Sequence, residues 1–389
     1  QGAPMNIEHL EQLCKVRKLQ RNPGYQVTAS DPPWRCETPS AHAFEASVAQ
    51  FHLFLKDAAE RFGAMERELP WHALNGERVT PARRALIEFI RSGFVGEYVR
   101  YTEQIDAARR AAPVALDEDL QEFSRALLHD TLLQAPFMER CLKKPLGYSG
   151  DYIVMLYLYE RQFEGQSLLA RAIHLATVYT RGACAVRERK DMLLRVMRSL
   201  ATERVHTGKK LRIISIAAGP AQETLEFLEQ HPELTRDVEI LLFDLDAEAL
   251  EHVSNRLARL ESRVGTQAKI SLRHDTIKRL IVNPKLFEEF GPADLIFSSG
   301  LFDYLGFDTG VQLIRNLHGS LASDGQLYVG NMVPENPCRW FLEHHLDWNL
   351  RYRTRSELRA MGEAACPGAT CEIVDERTGV NPFLRVFRS

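Results

Sequence analysis

The fold is decided by the stretch IISIAAGPAQET, which comprises residues 213–224. A run of apolar residues stops abruptly in small residues, and a helix-forming segment follows. Small residues at a strand-to-helix turn let a ligand approach the backbone, a geometry that dinucleotide-binding proteins use. The stretch lacks a complete G-x-G-x-x-G pattern. By itself it is compatible with a nucleotide site and equally with a tight turn in a buried sheet.

Beyond about residue 209, short apolar runs alternate with helical segments such as 221–231 and 247–260. This alternation predicts a parallel sheet with helices on both faces, and the nearly continuous apolar character of each run indicates burial. The predicted strands comprise residues 211–216, 238–244, 269–275, 293–299 and 325–331. Two more predicted strands, 370–378 and 381–389, are joined by so short a turn that they can only pair antiparallel.

The residues that precede the sheet are predicted to be helical. Thr80 followed by Pro81 is typical of a helix start, Pro113 ends that helix, and Asp117 begins the next one. Residues 167–205 form a long segment with helical spacing.

The chain is predicted to divide once, near Gly208, where the sequence pattern changes. We expect a helical cap or substrate domain at residues 5–207 and an α/β domain at residues 208–389. Within the first domain, the proline- and glycine-containing residues 22–40 are predicted to form an irregular connection.

The composition is that of an ordinary soluble protein. Of the 389 residues, 45% are hydrophobic and 26% are charged, and the net charge is −3. This small charge removes the simplest argument for a nucleic-acid or anionic-membrane partner. No apolar run approaches the roughly 18 residues that span a bilayer. Residues 1–4 look like a tag remnant ahead of Met5, without the features of a signal peptide. We therefore expect a cytoplasmic protein.

The seven cysteines form no Cys-x-x-Cys pair and no cluster with the spacing of a zinc site. This scattered arrangement is typical of reduced, structural thiols. We therefore expect no metal site.

A five-stranded parallel sheet that ends in an antiparallel hairpin resembles the sheet of class I S-adenosylmethionine-dependent methyltransferases. The resemblance implies a Rossmann-like α/β fold and S-adenosyl-L-methionine as the cofactor. In that family an acidic residue and alternating glycines follow the first strand. Here Ser215 stands at the acidic position, Ala217 and Ala221 replace glycines, and Gly219 remains.

The resemblance also implies roles for two acids that end strands. Asp244, with Leu245 beside it, would bind the ribose hydroxyls, and Asp275, with Thr276 beside it, would bind the adenine amino group. The alternative for either acid is a solvated loop residue or a helix cap. Asp246 fits the cap better than Asp244 because it directly precedes a helical segment.

At the end of the fourth strand, Ser298, Ser299 and Gly300 match the family segment beside the methionine part of the cofactor. Tyr304 follows on the substrate side and is a candidate catalytic residue. All these positions lie at the carboxyl ends of predicted parallel strands, where ligands bind open α/β sheets.

Two further segments, residues 144–155 and 331–358, resemble a narrower bacterial group of methyltransferases. Members of that group are associated with methyl esters of 3-hydroxy fatty acids, which serve as extracellular signals. The resemblance implies that a turn with Tyr148, Asp151 and Tyr152 covers the cofactor. The alternative is a well-made turn that packs helices onto the sheet.

The same resemblance includes a pair of arginines, Arg187 and Arg189, of which Arg187 is the chosen candidate. One of them would bind the carboxylate of the cofactor or of the substrate. The alternative is a solvated helix face.

A helix over residues 338–352 would carry His344 and His345, either of which could act as a general base. Either could equally be a buried, hydrogen-bonded histidine. Asn331 would point into the pocket. The residues that share one face of this predicted helix by spacing are Trp340, His344, Asp347, Trp348 and Arg351.

We therefore expect a methyltransferase that acts on the oxygen of a small, hydrophobic molecule with a carboxylate or hydroxyl group. One alternative is another use of S-adenosylmethionine, such as cyclisation of its aminobutyrate chain. A non-catalytic cofactor-binding module and a nicotinamide dehydrogenase are further alternatives. The sequence determines neither the acceptor nor the oligomeric state.

Overall fold

The computed structural model describes residues 38–69 and 80–388. They form two compact units that interleave along the chain. The helical unit contains the described residues up to Pro145, then Arg161–Thr180 and Pro337–Trp348; the sheet unit contains Leu146–Glu160, Arg181–Asn336 and the residues from Asn349 onward. The predicted single boundary near residue 208 differs from this division, because residues 146–160 and 181–207 belong to the sheet unit.

In chain order the helices are α1 Pro39–Glu68, α2 Pro81–Ile90, α3 Gly96–Ala111, α4 Asp117–Leu132, α5 Pro136–Lys143, α6 Tyr152–Glu160, α7 Leu168–Thr177, α8 Arg181–Thr207, α9 Gln222–Gln230, α10 Ala247–Val264, α11 Ile277–Val282, α12 Phe307–Gly319, α13 Arg339–Leu346 and α14 Arg355–Ala365. The strands are β1 Leu211–Ile216, β2 Val238–Asp244, β3 Lys269–His274, β4 Ala293–Ser298, β5 Leu321–Gly330, β6 Cys371–Val374 and β7 Phe383–Phe387.

Helix starts in the helical unit follow the local sequence. The hydroxyl of Thr38 accepts a hydrogen bond from the backbone of α1, and Thr80 does the same for α2, each with proline at the next position. The predicted helix starts at Pro81 and Asp117 are confirmed. Most of the predicted irregular connection at 22–40 lies outside the described residues, and its last residues already belong to α1.

Helix α13 is held inside the helical unit. Its Trp340 is fully buried. The indole Nε1 donates to the Thr102 carbonyl at 2.8 Å, and the backbone N–H of Trp340 donates to Asp106 Oδ1 at 3.1 Å. The helix ends at Leu346 because Asp347 adopts a left-handed conformation, with φ of 48°.

The early end of α13 corrects the prediction of one helix over residues 338–352. Trp348 and Arg351 lie beyond the helix and do not share its face. Similarly, the predicted helical segment at 167–205 is two helices, α7 and α8, separated by Val178–Thr180.

The sheet unit contains one seven-stranded sheet with the order β3-β2-β1-β4-β5-β7-β6. Strands β1 to β5 are parallel, and β7 pairs antiparallel with both β5 and β6. This arrangement confirms the predicted Rossmann-like α/β fold. The strand order reverses between β1 and β4, which are neighbours from Ile213 to Ser215. Ligands bind open α/β sheets at the carboxyl end of such a switch point.

Both faces of the sheet are buried, which explains the continuous apolar runs. Alternate residues of β1 face opposite sides: Ile213 packs with one core, and Ile214 with the other. Helix α8 contributes Met192, Leu193 and Met197 to the first core, together with α9 and α10. The last helix before the sheet is therefore part of the sheet unit's core.

Within residues 38–69 and 80–388, no helix combines the length and the apolar character needed to cross a bilayer. The cysteines of these ranges are free thiols, and Cys14 and Cys36 lie outside them.

The position of α8 can be tested by truncating one core side chain. Leu193 is fully buried, so Leu193→Ala should lower the free energy of unfolding by about 2–5 kcal/mol through lost burial and a residual cavity. Val205→Ala on the same helix is the control, because Val205 is 58% exposed and its effect should stay within about 0.5 kcal/mol. Urea unfolding of both variants measures this difference. Equal stabilities of the two variants would contradict the packing of α8 against the sheet.

Candidate functional site

The loop after β1 has a strained backbone. Ala217, Gly219 and Ala221 adopt positive φ angles of 52°, 51° and 47°. The left-handed conformation costs a non-glycine residue about 1–2 kcal/mol. Two alanines in this conformation therefore indicate a loop whose backbone shape serves a function. The backbone N–H of Ala218 donates to the Phe243 carbonyl at 3.1 Å, which ties the loop to β2. A Cβ added at Gly219 would meet open space.

Asp244 ends β2 and fixes this loop. Its carboxylate is only 4% exposed. Oδ2 accepts from the Gly219 N–H at 2.7 Å, and Oδ1 accepts from the Asp246 N–H at 2.9 Å. Burial raises the pKa of the Asp244 carboxyl, and the two N–H groups oppose this shift. Each carboxylate oxygen still has a lone pair for a further donor, such as a ribose hydroxyl.

Asp246 has the capping role that the sequence predicts for it. Its side chain accepts from the backbone N–H groups of Glu248 and Ala249 at the start of α10. Asp244 is therefore left to the loop and to any bound ligand.

Asp275 and Thr276 follow β3 and already have protein partners. The Asp275 carboxylate lies 3.0 Å from Arg279 Nη1 and 3.7 Å from Arg273 Nη2. Thr276 caps α11 by accepting from the Arg279 N–H. Asp275 is thus an ion-pair partner and Thr276 a helix cap, and their contact with adenine stays a prediction. Leu245 differs from them, because its side chain is 46% exposed at the carboxyl edge of the sheet.

At the end of β4, the hydroxyl of Ser298 is buried and has no hydrogen-bond partner within the described part of the chain. Ser299 and Gly300 are partly buried. A Cβ added at Gly300 would lie 3.3 Å from Arg189 Nη2, so this glycine leaves room for a guanidinium. Tyr304, the candidate catalytic residue, is 42% exposed.

The predicted turn of Tyr148, Asp151 and Tyr152 belongs to the sheet unit. Burial and the charges of Asp244 and Asp246 raise the pKa of the Tyr148 hydroxyl, which is therefore within electrostatic range of the candidate site. Asp151 is fully buried and accepts from the Val154 N–H at 3.0 Å at the start of α6. The Tyr152 ring lies 5.6 Å from the His252 ring on α10.

The two arginines of α8 have different environments. Arg187 Nη1 donates to the Leu158 carbonyl at 2.9 Å, and its Nη2 contacts Cys184 Sγ at 3.2 Å. Arg189 lies at the strand ends, where its Nη1 donates to Asn381 Oδ1 at 2.8 Å. Residues two apart on a helix point in nearly opposite directions. The sequence predicts the pair, but it gives no signal for choosing between the members.

Two buried acids near Arg189 were not predicted. Glu223 is in the first turn of α9, and Asp303 follows β4. Burial raises the pKa of Glu223 to about 7 and that of Asp303 to about 6, and the charge of Arg189 opposes both shifts. In the sequence, both acids lie close to a loop at the end of a strand. Surface acids lie close to such loops too, so this position does not distinguish the two buried ones.

The histidines predicted as general bases lie in the helical unit. His344 Nε2 is 3.2 Å from Asp117 Oδ1, and His345 Nε2 is 3.0 Å from Ser124 Oγ. Burial lowers the pKa of His344 and lowers that of His345 well below its ordinary value. The structure therefore gives both the alternative role of a buried, hydrogen-bonded histidine.

Asn331 is also engaged inside the fold. Its Nδ2 donates to the carbonyls of Met332 and Arg351, both at 3.0 Å, and its Oδ1 accepts from Arg353. The side chain therefore fastens the segment after β5, and both N–H groups of its amide are used inside the fold.

Residues 146–284 match the model of a family described as "Putative methyltransferase". The matched range contains the Tyr148 turn, the strained loop, Asp244 and Asp275. The match and the strand order agree with the predicted class I methyltransferase sheet. No curated protein matches the sequence at a significant level.

Several solved structures are similar to this chain. A possible exported protein of Bordetella parapertussis is 18% identical with a TM-score of 0.48, covering 80% of this chain and 99% of that one. The N-methyltransferase NodS of Bradyrhizobium japonicum, in complex with S-adenosyl-L-homocysteine, is 17% identical with a TM-score of 0.35, covering 52% and 87%. Magnesium protoporphyrin IX methyltransferase of Synechocystis, with bound S-adenosylmethionine, is 10% identical with a TM-score of 0.34, covering 53% and 84%. Since none of these scores reaches 0.5, the fold assignment depends on this protein's own sheet.

Glu223 should make the stability of the protein depend on pH. Its pKa rises from the ordinary 4.5 to about 7 on folding, so between these values the folded chain holds a proton that the unfolded chain has released. Stability should therefore fall as the pH rises from about 4.5 to 7, and Glu223→Gln should remove this loss. The variant's stability relative to the native protein should increase over this interval by up to about 3 kcal/mol.

Urea unfolding at pH 5, 6, 7 and 8 measures this difference. Glu229→Gln, an exposed position on the same helix, is the control for the same substitution outside the buried site. A constant difference for Glu223→Gln would mean that this carboxyl titrates normally.

Proposed function

We propose that this protein is an S-adenosylmethionine-dependent methyltransferase. The observation that carries the proposal is the Asp244 carboxylate, buried at the end of β2 and hydrogen-bonded to the N–H of Gly219 in the strained loop. It stands beside the switch point between β1 and β4, where a nucleoside ligand would lie. The family match over residues 146–284 supports the same activity.

The residues present fit this cofactor. The Asp244 carboxylate would accept hydrogen bonds from both ribose hydroxyls. The open space over Gly219 would let the ligand approach the backbone closely. The buried Ser298 hydroxyl would gain a partner at the end of β4. The Tyr148 hydroxyl is within electrostatic range of Asp244, and its ring would offer a cation–π contact to a positive sulfur.

When bound, S-adenosylmethionine supplies a methyl group that is already activated by a positively charged sulfur. The contribution of the protein is then to position the acceptor and to exclude water. Exposed apolar side chains at the carboxyl edge of the sheet, Leu245, Tyr304 and Phe307, favour a hydrophobic acceptor. We therefore propose a small hydrophobic molecule as the acceptor.

We further propose that the methylated atom is a carboxylate oxygen, as in a fatty-acid methyl ester. A carboxylate is ionised at neutral pH and needs no general base. This agrees with two histidines that are buried and hydrogen-bonded within the helical unit. That the helical residues cover the substrate stays a prediction, as does the cytoplasmic location.

Replacement of Asp244 should weaken cofactor binding. Asp244→Asn keeps the size of the side chain but removes its charge and turns one acceptor into a donor, which should lower the affinity for S-adenosylhomocysteine roughly 10- to 100-fold. Titration calorimetry measures the affinity. Asp308→Asn, an exposed residue of α12, is the control and should bind as the native protein does. Native affinity in a folded Asp244→Asn variant would refute the ribose assignment.

The reaction type can be identified from its products. Incubation of the pure protein with methyl-labelled S-adenosylmethionine and a bacterial extract should label a lipid-soluble product and release S-adenosylhomocysteine. If the product is a methyl ester, mild base should release the label as methanol. Label that survives base would indicate an ether or amine product. Release of methylthioadenosine without label transfer would indicate cyclisation of the aminobutyrate chain. Asp244→Asn is the matched low-activity control.

A further inference from the structure

Arg189 is a buried cation for which the described residues provide no close ion pair. Its side chain is 6% exposed. Nη1 donates to Asn381 Oδ1 at 2.8 Å, Nη2 lies 4.0 Å from Met155 Sδ, and the guanidinium also forms a hydrogen bond with the Tyr159 hydroxyl. Nε is buried without an acceptor within the described residues, and the buried acids Glu223 and Asp303 interact with Arg189 through their charges. A buried guanidinium that lacks a direct ion pair gains from a ligand anion that pairs with it.

The guanidinium lies at the switch point of the sheet. It fills the space over Gly300, directly after β4, and its charge acts on Glu223, directly after the β1 loop. These two segments flank the crevice in which ligands bind open α/β sheets. An anion that pairs with Arg189 would therefore belong to a ligand of this crevice.

Glu223 is a buried acid whose charge is opposite to that of Arg189. It is 5% exposed, and the only hydrogen bond found for its carboxylate within the described ranges comes from its own backbone N–H. The neighbouring cation, Lys190, is already neutralised by Glu226 at 2.5 Å and Asp191 at 2.7 Å. Glu223 thus offers a carboxylate to a positively charged group, as Arg189 offers a guanidinium to a negative one.

Glu223 follows β1, the strand that contains Ser215, in the first turn of α9. Ser215, in β1, occupies the place where the resembled methyltransferases have an acid. It is buried and carries no charge. A ligand with an ammonium and a carboxylate on one carbon would match Glu223 and Arg189 together, and it would neutralise both buried groups.

We propose that Arg189 and Glu223 bind the amino-acid end of the cofactor. The Arg189 guanidinium takes the carboxylate, and the Glu223 carboxylate takes the ammonium in place of the acid absent at position 215. Both are binding residues that act on the ligand directly. The inference rests on the proposed function, since it needs S-adenosylmethionine as the ligand.

Two ligands that differ only in this end provide the test. S-adenosylhomocysteine carries the amino-acid end, and 5′-methylthioadenosine lacks it while keeping the nucleoside and the sulfur. Calorimetry should show that Arg189→Gln and Glu223→Gln each lower the affinity for S-adenosylhomocysteine about tenfold or more. Their affinity for methylthioadenosine should stay within about twofold of the native value. Because both ligands are measured on the same variant, the ratio of affinities is independent of the folded fraction.

Arg195→Gln and Glu229→Gln, at exposed positions of the same two helices, are the matched controls and should leave both affinities unchanged. If Arg189→Gln does not fold, Arg189→Lys keeps the cation without the bidentate geometry and should still lower the affinity ratio. Equal losses for both ligands, or no loss for either, would overturn the proposal. A native protein that binds neither ligand would refute the proposed function itself.

Discussion

Two backbone N–H groups donate to the Asp244 carboxylate, and the carboxyl edge of the sheet depends on them. One comes from Gly219 in the loop after β1, the other from Asp246 before α10. The loop contains two alanines in the left-handed conformation, which its own sequence does not favour. Charge-assisted hydrogen bonds to a buried carboxylate can offset that strain. The same atoms that organise the loop are those that the proposed function assigns to the ribose.

The strands were predictable for a physical reason. A parallel strand with both faces covered is apolar at nearly every position, so residues 211–216 and 238–244 stand out in the sequence. Helix starts at Thr80-Pro81 and Asp246-Ala247 were predictable because capping depends on a few neighbouring residues.

The partners of the helices were not predictable. An amphipathic helix has the same pattern whether it packs on a sheet or on other helices, so residues 181–207 and 337–348 gave no sign of the unit to which they belong. Arg187 and Arg189 differ only in direction around a helix. Glu223 resembles a surface acid until its burial is known.

The interleaving of the two units has a consequence for synthesis on the ribosome. The helical unit receives Trp340 into its interior from α13, which leaves the ribosome long after α1 to α7. Until then the early helices lack a large apolar residue and the donors that bond to Thr102 and Asp106. Domains that consist of one continuous segment can fold in the order of their translation. Here the amino-terminal helices must wait for nearly the whole polypeptide, so nascent chains should depend on protection of that open apolar surface.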